Sequence, residues 1–131
     1  MTPILVDTSV YIDHLRAGED IRQLLMPFLR AGLLFNCGVI RAEVLRGMKS
    51  PAARDGMLGF FDIVPEVPCD ARLWHTVSLM GWQLGRNGKW PPVTDLAIAA
   101  SALRSGCRLI SPDHHFQDIP GLIVLANLPE I

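Results

Sequence analysis

Four carboxylic acids are the residues of this chain best placed to do chemistry: Asp7, Glu43, Asp95 and Asp113. Asp7 ends the apolar run "ILV", Glu43 lies in "VIRAEVLRG", Asp95 opens "DLAIAASAL", and Asp113 follows "RLIS" in "SPDHHF". Two unit charges ~4 Å apart repel by ~4 kcal/mol at an effective dielectric near 20. Several acids sharing one pocket therefore call for protonation or for a cation, and a divalent ion relieves them most directly. Hard oxygen donors with no Cys or His among them favour Mg²⁺, or Mn²⁺, over zinc. An ion held in this way can activate a water against a phosphate ester.

Each acid also has a blander reading. Asp95 is a favourable charge in the first turn of a helix. Glu43 stands three residues before Arg46, the spacing of a surface ion pair. Asp113 fits a turn. Asp7 is the hardest to explain away, because it ends a strand without a turn signal such as Asn-Gly. The ordered set of four outweighs these separate readings, provided the fold brings the acids to one edge.

The elements that would do so alternate along the chain. Ile4–Val6 reads as a buried strand, and Ser9–Leu15 as a helix that Thr8 or Ser9 can cap. Asp20–Arg30 has helical period, with Ile21, Leu24, Leu25 and Phe28 on one side, and Pro27 should kink or shorten it. Leu33–Cys37 reads as a strand, Val39–Met48 and Ala52–Phe61 as helices, and Asp62–Val64 as a short edge strand. Asp70–Arg86 is the longest helix, and Val93–Ser105 is apolar nearly all round and therefore buried, with Gly106 ending it. Arg108–Ser111 and Gly121–Leu125 are the last strands. Strands separated by helices imply crossovers, a mostly parallel sheet and helices on both faces. Sites in such sheets form at the carboxyl ends of the strands, which is where Asp7 and Asp113 fall.

The totals set bounds. A chain of 131 residues with 50% apolar content fits one domain with a real core. No apolar run approaches the ~20 residues needed to span a bilayer, and Asp7 interrupts the place where a leader's apolar segment would stand. The expectation is a soluble cytoplasmic protein with no membrane partner. Cys37, Cys69 and Cys107 are irregularly spaced and odd in number, which suits small core residues rather than disulfides or zinc. The net charge of -1 makes no case for a polyanion, but setting four acids aside leaves 12 basic against 9 acidic residues, a mildly basic surround.

The stretches "ILVDTSVYIDHLR", "IRAEVLRG", "VTDLAIAASAL" and "RLISPDHHFQDIPGLIVL" resemble PIN-domain ribonucleases, and in particular the VapC toxins of bacterial toxin–antitoxin pairs. The likeness runs from Leu5 to Leu125 and implies a single PIN domain over 1–131, a three-layer sandwich around a mostly parallel sheet. The family's acids fall on Asp7, Glu43, Asp95 and Asp113, and its small hydroxyl on Ser9. Ser111 stands where threonine is common, and His115 where many relatives have a further acid. The resemblance implies Mg²⁺-dependent endonucleolytic cleavage of RNA that leaves a 5′ phosphate and a 3′ hydroxyl. Asp7 and Asp95 would be the main metal ligands, and Asp113 would complete the shell or hold a second ion. Glu43 would orient the attacking water or take its proton, and Ser9 would hydrogen-bond a ligand or its water. It further implies a homodimer silenced by a VapB-type antitoxin.

Lys89 and Trp90, in the loop before Asp95, are candidates for contact with RNA phosphate and base, although Trp90 could instead stiffen the loop by packing on its prolines. Trp74 and Trp82, with Leu73, Val77 and Leu84, read as core or dimer surface. His14, His75, His114 and His115 lack zinc-ligand spacing and read as structural or exposed, with His114 and His115 able to reach substrate. Rival enzymes on similar sheets fit less well. A haloacid-dehalogenase-type phosphatase needs an Asp where Ser9 stands, a receiver domain needs adjacent acids near the first strand, and a Rossmann enzyme needs a glycine-rich loop. The remaining alternative is a PIN-fold module that binds RNA without cutting it.

Overall fold

The computed structural model describes all residues from Met1 to Ile131. Ile4–Val6 (β1), Leu34–Cys37 (β2), Glu66–Val67 (β3), Arg108–Ile110 (β4) and Val124–Leu125 (β5) form one sheet in the order β3-β2-β1-β4-β5. Every neighbouring pair is parallel. β1 lies at the centre, with Leu5 level with Phe35 on one side and with Leu109 on the other. Ile4, Leu5 and Val6 are fully buried. Such burial on both faces is why the strand is continuously apolar rather than alternating.

The helices are Thr8–Arg16 (α1), Ile21–Arg30 (α2), Gly38–Arg46 (α3), Pro51–Ile63 (α4), Ala71–Arg86 (α5) and Val93–Ser105 (α6). From β1 the chain steps outward to β2 and β3, then returns across the sheet to β4. Right-handed crossovers therefore put α1 to α4 on one face and α5 with α6 on the other. The order reverses between β1 and β4, and a crevice opens at their carboxyl ends.

Three expectations need correction, and two open readings are narrowed. The third strand is not Asp62–Val64 but Glu66–Val67. α4 runs on to Ile63, with Met57, Phe60, Phe61 and Val64 buried at helical spacing and Asp62 and Ile63 exposed, and Pro65 follows. Pro27 does not shorten α2, which continues to Arg30. Leu24 is exposed, because the buried stripe of α2 is Ile21, Leu25 and Phe28, four and then three residues apart. Of the two readings given for these residues, core or surface, Trp74 and Trp82 take the exposed side of α5, while Leu73, Val77 and Leu84 face the core. Asp7 caps α1, rather than Thr8 or Ser9.

α6 is the helix that carries Asp95 into the molecule. Leu96 through Ala102 are all buried, and the small side chains let neighbours approach closely. Gly81 of α5 helps from the other side: a Cβ there would meet Leu96 Cδ1 at 3.1 Å. Gly106 ends α6 with φ 68, a left-handed value that favours glycine. Cys37 and Cys107 are buried, and all three cysteines are free. No helix is long and apolar enough to cross a membrane.

The helical extension of α4 is directly testable. Phe61, fully buried and edge-on to Tyr11, should lose about 3–5 kcal/mol on substitution to Ala. Ile63, 61% exposed, should change by less than about 0.5 kcal/mol on the same substitution. Urea unfolding of both variants checks this, and equal losses would contradict the placement.

Candidate functional site

Asp7 lies at the carboxyl end of β1 and is only 4% exposed. A buried charge is tolerated when donors surround it. Its Oδ1 accepts from the Thr8 backbone N–H at 2.8 Å, and its Oδ2 accepts from Ser9 Oγ at 2.8 Å and Ser111 Oγ at 2.9 Å. A carboxylate offers about four acceptor positions, so these three bonds leave one open. The N-terminus of α1 adds its partial positive charge.

Ser111, just past β4, ties the crevice together. Its hydroxyl donates to Asp7 and accepts from the Asp113 backbone N–H at 3.1 Å. Asp113 then caps the single 3₁₀ turn His114–Phe116, accepting from the His115 N–H at 3.0 Å. Fully buried Phe116 anchors that turn in the core.

Asp95 reaches the same crevice from the first turn of α6. Burial pushes its carboxyl above the ordinary range, and the charges of Asp7 and Asp113 push the same way. The bond from His115 pulls in the opposite direction. His115 Nδ1 lies 3.0 Å from Asp95 Oδ2 and 3.3 Å from Asp113 Oδ1. Bonding to Asp95 and the charge of Asp113 raise the imidazole pKa. One ligand atom from each of Asp95, Asp113 and His115 falls within 4.8 Å of the others.

Glu43, on α3, stands one step behind. Its Oε1 accepts from Thr8 Oγ1 at 2.8 Å, and the backbone N–H of that same Thr8 bonds Asp7. Thr8 Oγ1 is thus the donor that holds Glu43, and the surface pair with Arg46 that was its blander reading does not form. Lys89 pairs with Asp118 at 2.9 Å, so its ammonium already has a counter-ion. Trp90 is 82% exposed and rests on the backbone of Gly85 in α5, where an added Cβ would meet its ring at 3.0 Å. It borders a small cavity whose lining also includes Lys89, Pro91, His115 and Asp118.

The expected site residues therefore divide by distance. Asp95 and Asp113 are packed tightly together, Asp7 acts on Asp95 through its charge and is joined to Asp113 through Ser111, Ser9 bonds Asp7, and Glu43 connects through Thr8. Sequence reasoning passed over two residues, Thr8 and the bridging role of Ser111. Both are small hydroxyls beside strand-end acids, and that adjacency was the available signal. It also did not bring His115 in among the carboxylates. The donor set, carboxylates with one imidazole and no thiolate, suits a hard or borderline divalent cation.

The PIN-domain family pattern matches residues 4–122. No curated protein matches the sequence. Among solved structures, the DNA-bound VapBC of Salmonella typhimurium superposes with a TM-score of 0.78 at 20% identity, covering 95% of this chain and 98% of that one. VapBC2 of Rickettsia felis, bound to a DNA fragment from its promoter, gives 0.77 at 18% identity over 95% and 98%. VapBC-1 of nontypeable Haemophilus influenzae gives 0.74 at 18% over 95% and 97%. These likenesses establish a shared fold. With its parallel five-stranded sheet, and a family pattern spanning nearly its whole length, the chain belongs to the PIN-domain family.

Proposed function

We propose that this chain is a divalent-metal-dependent endoribonuclease acting as the toxin of a toxin–antitoxin pair. The observation that carries this reading is the close approach of Asp95 and Asp113 at the point where strand order reverses, with buried Asp7 joined to Asp113 through Ser111 and Glu43 linked to Asp7 through Thr8. Membership of the PIN-domain family supports a nuclease, and the likeness to VapBC proteins supports a VapC-type toxin with a VapB-type antitoxin as partner. RNA as substrate and a homodimeric assembly rest on the family resemblance.

Asp7, Asp95 and Asp113 would hold the cation, Mg²⁺ or Mn²⁺. A cation bound there would supply a water of lowered pKa and positive charge to offset that gathering on the scissile phosphate. The chain's own groups supply the rest. Thr8 N–H, Ser9 and Ser111 fix Asp7, so the carboxylate does not swing when substrate enters. Thr8 orients Glu43, whose free oxygen positions the attacking water and takes its proton. Attack in line with the 3′ oxygen leaves a 5′ phosphate and a 3′ hydroxyl. Exposed Trp90 offers an indole face on which an unpaired base stacks.

A PIN-fold module that binds RNA without cutting it is the alternative, and one experiment separates the two. Structured RNA is incubated with the chain in Mg²⁺ or in EDTA, beside Asp7→Asn, Asp95→Asn and Glu43→Gln. The nuclease reading predicts cuts that need metal and fall by roughly 10²-fold or more in each variant. Intact RNA, bound equally by all forms, would favour the binding module. Trp90→Ala, placed in the Asp7→Asn background to prevent cutting, should weaken binding of a short single-stranded RNA by about 1–3 kcal/mol in fluorescence anisotropy. Unchanged affinity would show that no base stacks there.

The crowding has a thermal signature. Folding raises the Asp95 pKa, so its ionised form costs stability above that raised value, and the cost fades as pH falls through it. At neutral pH in EDTA, Asp95→Asn should therefore melt roughly 1–4 °C higher than the parent, allowing for the group's partial exposure. The same change should shrink the stabilisation produced by saturating Mn²⁺, which for the parent is ~2.7 kcal/mol at a hundred times the dissociation constant. Calorimetric melts with and without metal check both.

A further inference from the structure

We infer that His115 is itself a metal ligand, joining the proposed carboxylates through its contacts with Asp95 and Asp113, and that its imidazole nitrogen makes this chain select a first-row transition ion such as Mn²⁺ over Mg²⁺. This rests on the metal-site reading of the pocket, and not on the RNA reaction.

Three observations carry it. The backbone of His115 is fixed from both sides: the Asp113 carboxylate caps its N–H, and the next residue, Phe116, is fully buried. The 3₁₀ turn therefore has no freedom to carry the ring elsewhere. The side chain is 53% exposed, so packing does not explain where the ring points. Its Nδ1 nevertheless stands between two carboxylate oxygens, 3.0 Å from Asp95 and 3.3 Å from Asp113. Those carboxylates come from α6 and from the loop after β4, elements that meet only through the fold.

The spacings match those of a coordination shell. Donors ~2.1 Å from one ion at right angles lie ~3 Å from each other. A hydrogen-bonded imidazolium would occupy similar positions, so what separates the readings is whether the nitrogen binds an ion directly. Donor chemistry then sets the choice of ion. Mg²⁺ takes oxygen and water almost exclusively, whereas imidazole suits first-row transition ions, and Mn²⁺ accepts both donor types. An acid at position 115 would have made the centre all-oxygen and indifferent on this point.

The test uses Mn²⁺ as probe on the full chain, with circular dichroism confirming that each variant folds. Pulsed electron paramagnetic resonance of the Mn²⁺-loaded protein should show ¹⁴N coupling. It should persist in His114→Ala and vanish in His115→Ala. Titration calorimetry should give a ratio of Mg²⁺ to Mn²⁺ dissociation constants that falls about tenfold or more in His115→Asp, which restores an oxygen donor. Bound Mn²⁺ without nitrogen coupling, or a ratio unchanged in His115→Asp, would overturn the inference. Absence of Mn²⁺ binding would overturn it together with the metal-site reading. Nitrogen coupling in a protein that cuts no RNA would support the inference while defeating the proposed reaction, and Mg²⁺-dependent cutting without nitrogen coupling would do the reverse.

Discussion

The structure turns on how one buried carboxylate is given hydrogen-bond donors at the end of the central apolar strand. Asp7 sits where β1 gives way to α1, and a charge at that depth would cost several kcal/mol without compensation. Two of its donors, Thr8 N–H and Ser9 Oγ, are supplied by the turn that starts α1. The third, Ser111 Oγ, arrives from the end of β4, 104 residues further on. Local sequence can satisfy only part of Asp7. The remainder requires β4 to lie beside β1, and that adjacency is the reversal of strand order that opens the crevice.

The same arrangement places function and stability in opposition. α6 is nearly all apolar along its middle, and its alanines and its contact with Gly81 bring it close to its neighbours. Its first turn therefore delivers Asp95 to a place already holding Asp7 and Asp113. The positive end of the helix favours an acid there, while burial and the neighbouring charges resist its ionisation, and resistance prevails. His115 relieves part of this with a bond to Asp95. A pocket so built is incomplete by itself, which is the physical reason to read it as a binding site rather than as part of the core.

Much of this was legible in the sequence because it is local or periodic. The apolar run before Asp7, the apolar span of α6 and the turn at Gly106 are visible without coordinates, and alternation of strand and helix gives the parallel sheet. The third strand was not legible: Asp62–Val64 is short and apolar at both ends of its neighbourhood, and only the burial of Phe60, Phe61 and Val64 together shows that the helix continues. The outward position of Trp74 and Trp82 was hidden because large aromatic residues fit core and surface equally well by type. The Thr8–Glu43 bond joins residues 35 apart, and a hydroxyl's partner at that distance leaves no mark on spacing. His115 was discounted because ligand spacing was sought along the chain, whereas its partners come from another helix.

The most direct measurement is anomalous diffraction from crystals of the unmodified chain grown with Mn²⁺. A metal centre formed by these acids predicts a strong peak in the crevice between β1 and β4, within coordination distance of Asp95 and Asp113 and next to Asp7. An ordered crevice with no peak at saturating Mn²⁺, or Mn²⁺ bound only elsewhere on the surface, would contradict it.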